Sequence, residues 1–171
     1  MAVEIDKRNK TVVLSLGGNV GDVEQTFKNS ILDLKVRLGV LVTTSSLYQT
    51  KAWGIEEQPD FLNQIIIFST KLTPYEVLSV CLDIEFLLGR GRKGQGKWQE
   101  RVIDIDVLFY ENDIINTADL KIPHPYLHKR NFVLFPLAEI IPDFIHPKLG
   151  KTVEELKNSC DDKLQAAKYL G

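Results

Sequence analysis

The order of apolar runs constrains this chain more than any other feature. Four β-branched and leucine-rich runs, over residues 11–16, 40–48, 61–71 and 102–110, read as strands. Stretches of helical periodicity follow the first and the third. In the first, Asp22 can cap the opening turn, with Gln25 three residues on. Val23, Phe27, Ile31, Leu34 and Leu38 then recur at helical spacing until Gly39. In the second, Thr73 is the cap, Pro74 the first helical residue and Glu76 the partner in a capping box. Val77, Val80, Cys81, Ile84, Leu87 and Leu88 form the apolar stripe, and Gly89 ends it. The order βαββαβ predicts an α+β chain of ferredoxin-like type, with an antiparallel sheet and both helices on one face.

Beyond Tyr110 the pattern weakens. Glu111, Asn112 and Asp113 predict a turn, Ile114 and Ile115 a short strand, residues 126–135 a short helix stopped by Pro136, and residues 152–170 an amphipathic helical tail. With 44% hydrophobic and 26% charged residues, the balance is that of one domain over residues 1–171, its core over about 11–147 and its tail over about 150–171. Two cysteines, Cys81 and Cys160, make a poor disulfide framework and are expected as reduced thiols. The chain shows no leader-like start and no apolar run of the ~18 residues that span a bilayer, so a cytoplasmic protein without membrane attachment is expected. A net charge of −2 gives no overall attraction to nucleic acid, so any polyanion must be met locally.

Such a local cluster lies between residues 90 and 101, where Arg90, Arg92, Lys93, Lys97 and Arg101 face one acid, Glu100. Within it, residues 91–97 spell G-x-x-x-x-G-K, but Trp98 stands where a P-loop needs serine or threonine, and the loop leads from helix to strand rather than from strand to helix. Residues 16–21 are a second decoy, because Leu16 replaces the first glycine of a dinucleotide-binding turn. More informative is the strand that follows the basic loop. Ile103, Asp104, Ile105, Asp106 and Val107 alternate with period two, so both carboxylates project from one face. A polar outer face would explain that pattern. So would a magnesium site, since magnesium takes one or two carboxylates and leaves its other positions to phosphates and water. The cations at the same end of the strand favour a site for a polyphosphate.

The segment from Arg101 through Asp104 and Asp106 to Leu108, then Ile122-Pro123-His124-Pro125, then Lys129-Arg130-Asn131-Phe132-Val133-Leu134, resembles the signature of the 6-hydroxymethyl-7,8-dihydropterin pyrophosphokinase family. The glycine turn within residues 14–22, the strand at Ser45-Ser46-Leu47-Tyr48-Gln49-Thr50 and the run Gln58-Pro59-Asp60-Phe61-Leu62-Asn63 are similar to that family as well, in family order. Gly18, Lys51 and Phe61 depart from it, where serine, proline and tyrosine are common, without removing a charge or a ligand.

The resemblance implies transfer of diphosphate from ATP, the co-substrate, to the dihydropterin in folate biosynthesis. It implies two magnesium ions held by Asp104 and Asp106, with Arg92 and Arg101 beside them in catalysis. Glu85, Arg90, Arg92, Trp98, Arg101, His124 and Arg130 would surround ATP, and Thr50, Trp53, Phe61, Asn63 and Phe132 the pterin. Arginine suits phosphate because its planar fork bonds oxygens in pairs and stays charged, and aromatic faces suit a flat heterocycle whose edge an amide can read. Each residue also has a plainer reading: His124 as a turn histidine between prolines, Glu85 as a surface acid, the two phenylalanines as core. The loop from Gly89 to Lys97 has the composition of a lid. The chain is expected to work as a monomer on small molecules, without nucleic acid. An RNA-binding sheet is the rival from another class, and the aromatic RNP pattern it would need is missing from the sequence. A metal-dependent nucleotide hydrolase using the same aspartates is the other rival.

Overall fold

The first apolar run forms β1 (Lys10–Gly18), buried on both faces as a central strand must be. The computed structural model describes residues 9–51, 59–90 and 102–171, and of Arg90 the backbone only. Asp22 accepts a hydrogen bond from Gln25 N at 2.9 Å and opens α1 (Val23–Leu38). At Gly39 the backbone turns to φ +131°, where a Cβ would lie 2.6 Å from the carbonyl oxygen of Ser69. Only glycine can therefore end α1 here and begin β2 (Gly39–Thr44).

One strand is expected over residues 40–48, but the structure divides it into β2 and β3 (Tyr48–Thr50). The cause is Ser45. Its N–H donates to the carbonyl of Ile65 at 2.8 Å, while its Oγ, in place of a backbone oxygen, accepts from Ile65 N at 2.9 Å. The ladder is interrupted without leaving a buried group unpaired.

After β4 (Phe61–Thr70) the capping box of Thr73 and Glu76 opens α2 (Pro74–Glu85), which loosens into a wider turn at Phe86–Arg90. Next comes β5 (Asp104–Tyr110), and the strands lie in the order β5-β1-β4-β3, all antiparallel, with β2 also on β4. This is the expected ferredoxin-like order. The apolar stripes of α1 and α2 share one core with Val12, Leu14, Leu16, Ile103, Ile105 and Val107. Cys81 lies in that core at 0% exposure, and burial pushes its thiol up to about 12; both cysteines are free.

Residues beyond Tyr110 serve both faces: Leu120 and Ile122 join the first core, and residues 127–156 cover the opposite face. A hairpin of β6 (Ile115–Asn116) and β7 (Lys121–Ile122) leads through a 3-10 turn (Leu127–Lys129) into α3 (Asn131–Ile140) and then α4 (Val153–Asn158). Pro136 does not stop the helix as expected but sits inside α3. A proline there costs roughly 3 kcal/mol. Val133, Leu134, Leu137 and Ala138 offset this by packing into a second core with Val13, Ile65, Ile67, Leu108 and Phe109. The helical tail expected over residues 152–170 is likewise corrected. It is helical only as far as Asn158, and β8 (Ala166–Lys168) then joins the sheet beside β3. Sheet pairing satisfies the backbone there, which amphipathic periodicity alone does not reveal. Among the described residues, no helix is long and apolar enough to cross a membrane.

Candidate active site

Helices α3 and α4 cover only part of the second face. Beside them on this face meet the ends of β1 and β3 and the starts of β4 and β5. Across the sheet, Gly17 pairs with Asp104 on one side and Asn63 on the other, and Asn63 pairs in turn with Tyr48. Two residues along in one direction Ser15 pairs with Asp106 and Ile65, and two along in the other Thr50 pairs with Phe61. Directly paired antiparallel residues project to the same face, so a carboxylate, a bare glycine and an amide stand in one row. A Cβ on Gly17 would meet Asn63 Oδ1 at 3.3 Å and, among the described residues, nothing else within 4 Å. The row therefore carries no side chain at its centre. Asn63, 4% exposed, donates weakly from Nδ2 to Thr50 Oγ1 at 3.4 Å, which gives the amide the partner its apolar surroundings require.

A bulge in β5 assembles the acidic side of the site. Val13 pairs with Phe109 and Leu14 with Val107, leaving Leu108 as the extra residue. Leu108 and Phe109 both turn into the second core, and the carbonyl of Leu108 accepts from His124 N at 3.0 Å. This bond sets His124 against the aspartates, its Nε2 3.9 Å from Asp106 Oδ2. That distance is too long for a direct hydrogen bond. On the other side of the ring, Nδ1 accepts from Tyr126 N at 3.2 Å, so the proton sits on Nε2, facing Asp106. Burial, helped by Arg130 and opposed by Asp104, lowers the His124 pKa to about 4. At neutral pH the ring is thus an uncharged donor. The Arg130 guanidinium carbon lies 5.4 Å from the Tyr126 ring centre and 5.6 Å from that of Phe132, held between two aromatic faces.

Asp104, Asp106, His124, Arg130, Phe132, Phe61, Asn63 and Thr50 are thus all carried by elements that meet on or beside this face. Phe132, in the first turn of α3, also packs against the second core, so its plainer reading as a core residue is partly true. Glu85 differs from expectation. It is 1% exposed at the end of α2, and its Oε1 accepts from Ile105 N at 2.6 Å. Rather than lying open to a nucleotide, its carboxylate holds the backbone between the two aspartates, on the strand edge that has no neighbouring strand among the described residues. Trp53, Arg92, Trp98, Arg101, the side chain of Arg90 and most of the lid-like loop lie outside the described residues.

Sequence reasoning passed over Ser15, Gly17 and Tyr126. Ser15 carried a usable signal as the one polar residue between Val12 and Leu16 of a central strand, while the importance of Gly17 emerges only from register. Among the described residues there is no cluster of three or more His, Cys, Asp or Glu that could hold a metal. A pair of carboxylates fits magnesium, which takes its remaining oxygens from phosphates and water.

Residues 13–142 match the family described as 7,8-dihydro-6-hydroxymethylpterin-pyrophosphokinase. The chain is 43% identical over 147 residues to the 2-amino-4-hydroxy-6-hydroxymethyldihydropteridine pyrophosphokinase of Aquifex aeolicus, covering 86% of this chain and 90% of that one. It is 39% identical over 133 residues to the protein of the same name from Bacillus subtilis, covering 77% and 78%. Among solved structures, Plasmodium falciparum HPPK-DHPS with pteroate superposes with a TM-score of 0.69 at 20% identity, over 92% of this chain. The chain spans less than half of that longer protein, 43%, and the likeness bears on the fold. The chain belongs to the 7,8-dihydro-6-hydroxymethylpterin-pyrophosphokinase family.

Proposed function

We propose that this member of the pyrophosphokinase family transfers pyrophosphate from ATP to 6-hydroxymethyl-7,8-dihydropterin, in folate synthesis, across the bare position at Gly17. The single observation that carries this reading is the row Asp104–Gly17–Asn63, with a candidate phosphate-and-metal side, a gap and a candidate ring-binding side on adjacent strands. Asp104 and Asp106 would hold two magnesium ions. When bound, these would neutralise and orient the β- and γ-phosphates. Side chains two apart on a strand are spaced by about 6–7 Å, close enough for both carboxylates to reach ions that share one polyphosphate.

His124 donates from Nε2 toward the same phosphates, and Arg130 supplies a cation whose orientation its two aromatic neighbours restrict. Arg90, Arg92, Trp98 and Arg101 are assigned to the nucleotide from the family resemblance. Glu85 acts one step back, by fixing Ile105. On the pterin side, Asn63 reads the ring edge from a position braced by Thr50, Phe61 and Phe132 offer aromatic faces, and Trp53 completes the pocket. The hydroxymethyl oxygen attacks the β-phosphorus in line, AMP leaves, and positioning with charge neutralisation supplies the rate. The enzyme works as a monomer in the cytoplasm.

Incubation with MgATP and the dihydropterin tests this. AMP formed only in the presence of pterin supports the reading; ADP, or nucleotide breakdown without pterin, points to the hydrolase instead. Asp104→Asn and Asp106→Asn are each expected to lower turnover at least a hundredfold with the circular dichroism spectrum unchanged. Near-normal rates in both would remove the metal assignment.

A further inference from the structure

Residues 143–171 lie beyond the family match, yet they hold the two elements that carry candidate pterin contacts. Helix α3 has no local cap, for Arg130 at the cap position makes no side-chain hydrogen bond to the first turn. The cap comes from the tail. Asn131 N donates to Asp162 Oδ2 at 2.9 Å, and Asn131 Nδ2 donates to the carbonyls of Asp162 at 2.8 Å and Leu164 at 3.0 Å. The other carboxylate oxygen of Asp162 accepts from Leu164 N at 2.9 Å, which keeps the carboxylate in place. A negative group there satisfies an orphan N–H and complements the positive end of the helix.

Four residues on, β8 begins and pairs Ala166 with Thr50 and Lys168 with Tyr48. Lys168 Nζ is 3.4 Å from Glu139 Oε2 near the other end of α3, and Glu139 also accepts from Tyr48 Oη at 2.7 Å and Ser46 Oγ at 2.8 Å. The tail therefore ties both ends of α3 to the strand that bears Thr50.

We propose that Asp162 is a positioning residue for the pterin side of the site: by capping α3 from the tail it fixes the first turn, in which Arg130 and Phe132 flank the clasped Asn131. This rests on the reading of Phe132 as a pterin contact. Without the cap the first turn frays, and a shift on the order of 1 Å in a substrate-holding group can cost up to about a hundredfold.

The test is a cycle of the full-length wild type, Asp162→Ala, Phe132→Ala and the double variant, measuring Kd for 6-hydroxymethyl-7,8-dihydropterin in the presence of a non-transferable ATP analogue, well below the melting temperature of each. Phe132→Ala is expected to weaken binding about tenfold, Asp162→Ala about fivefold, and the double variant no more than Phe132→Ala alone, because the cap acts through that ring. Asp162→Asn, which keeps an oxygen to accept from Asn131 N, is expected to recover binding to within about twofold. A purely structural cap would lower the melting temperature and leave Kd alone, or would multiply with Phe132→Ala, and either result overturns the proposal. If Asp162→Ala does not fold, Asn131→Ala, which removes the two carbonyl clasps, is expected to weaken binding about threefold, and unchanged binding would overturn the idea. Unchanged binding in Phe132→Ala overturns the underlying pterin reading and the proposal with it. An effect of Phe132→Ala without one of Asp162→Ala overturns the proposal alone.

Discussion

Replacing Gly17 with alanine tests the gap proposed between Asp104 and Asn63 directly, because little change in stability is expected and a large one in activity. The added methyl would approach Asn63 Oδ1 to 3.3 Å and, among the described residues, meet nothing else within 4 Å. Relief requires the amide to move by only a few tenths of an ångström. Overpacking of this kind costs about 1 kcal/mol at the low end of its range, while alanine in a strand interior regains about 0.5–1 kcal/mol of the conformational entropy that glycine loses on folding. The net change in stability should therefore stay within about 1 kcal/mol, which a urea titration resolves. Activity should behave differently. The methyl fills the gap between Asp104 and Asn63 and displaces the amide assigned to the ring edge, so kcat/KM for the dihydropterin should fall by about ten- to a hundredfold, or ~1.4–2.8 kcal/mol of transition-state binding. A coupled assay for AMP measures this. A variant as stable as the parent and within twofold of its kcat/KM would show that the substrate does not cross Gly17, and the arrangement proposed for both substrates would have to be abandoned.

Other consequences are independent of that one. Glu85→Ala strips the acceptor from the buried Ile105 N–H and should destabilise the fold by about 2–4 kcal/mol, with Glu85→Gln losing less; equal urea midpoints for Ala and Gln would contradict this. Gly39→Ala combines φ +131° with a 2.6 Å clash against the Ser69 carbonyl and should cost at least ~2 kcal/mol, or prevent folding, without any bearing on the site. His146, 3% exposed, accepts from Lys148 N and Leu149 N through Nδ1, and burial together with His128 and Lys148 depresses its pKa from 6.5 to about 4. The unfolded chain then binds a proton that the native state refuses, so stability is unpenalised above about 6.5 and is lost as pH falls toward about 4. Its contribution to the slope approaches ~1.4 kcal/mol per pH unit, and His124, depressed in the same way, adds a second in the same direction. Denaturation midpoints that stay level from pH 7 to pH 5 would refute it.

Much of the scaffold was legible in the residues themselves. The helix starts at Asp22 and Thr73 are local hydrogen-bond devices, and the alternation through Asp104 and Asp106 is a local property of one strand, so neighbours in sequence suffice to reveal them. The tail was misread for the complementary reason. Helical periodicity over residues 152–170 competes with an edge strand only when β3 is present to be paired, and a helix across Pro136 becomes favourable only once a second core exists to receive it. In the same way, the family resemblance assigns Asp104, Asn63 and Thr50 to the candidate site, but the bare position between carboxylate and amide comes from sheet register.

By itself, the sequence determined the order of elements, the caps, the acidic pair and the family. Tertiary structure alone decided that Gly17 stands between Asp104 and Asn63, that a bulge at Leu108 brings His124 to Asp106, that Glu85 is buried behind the strand and that Asp162 caps a helix thirty-one residues before it. The physical reason is range. Periodicity and capping are interactions between residues within a few positions of one another, whereas register, bulges and edge pairing are settled by packing between segments far apart in the chain.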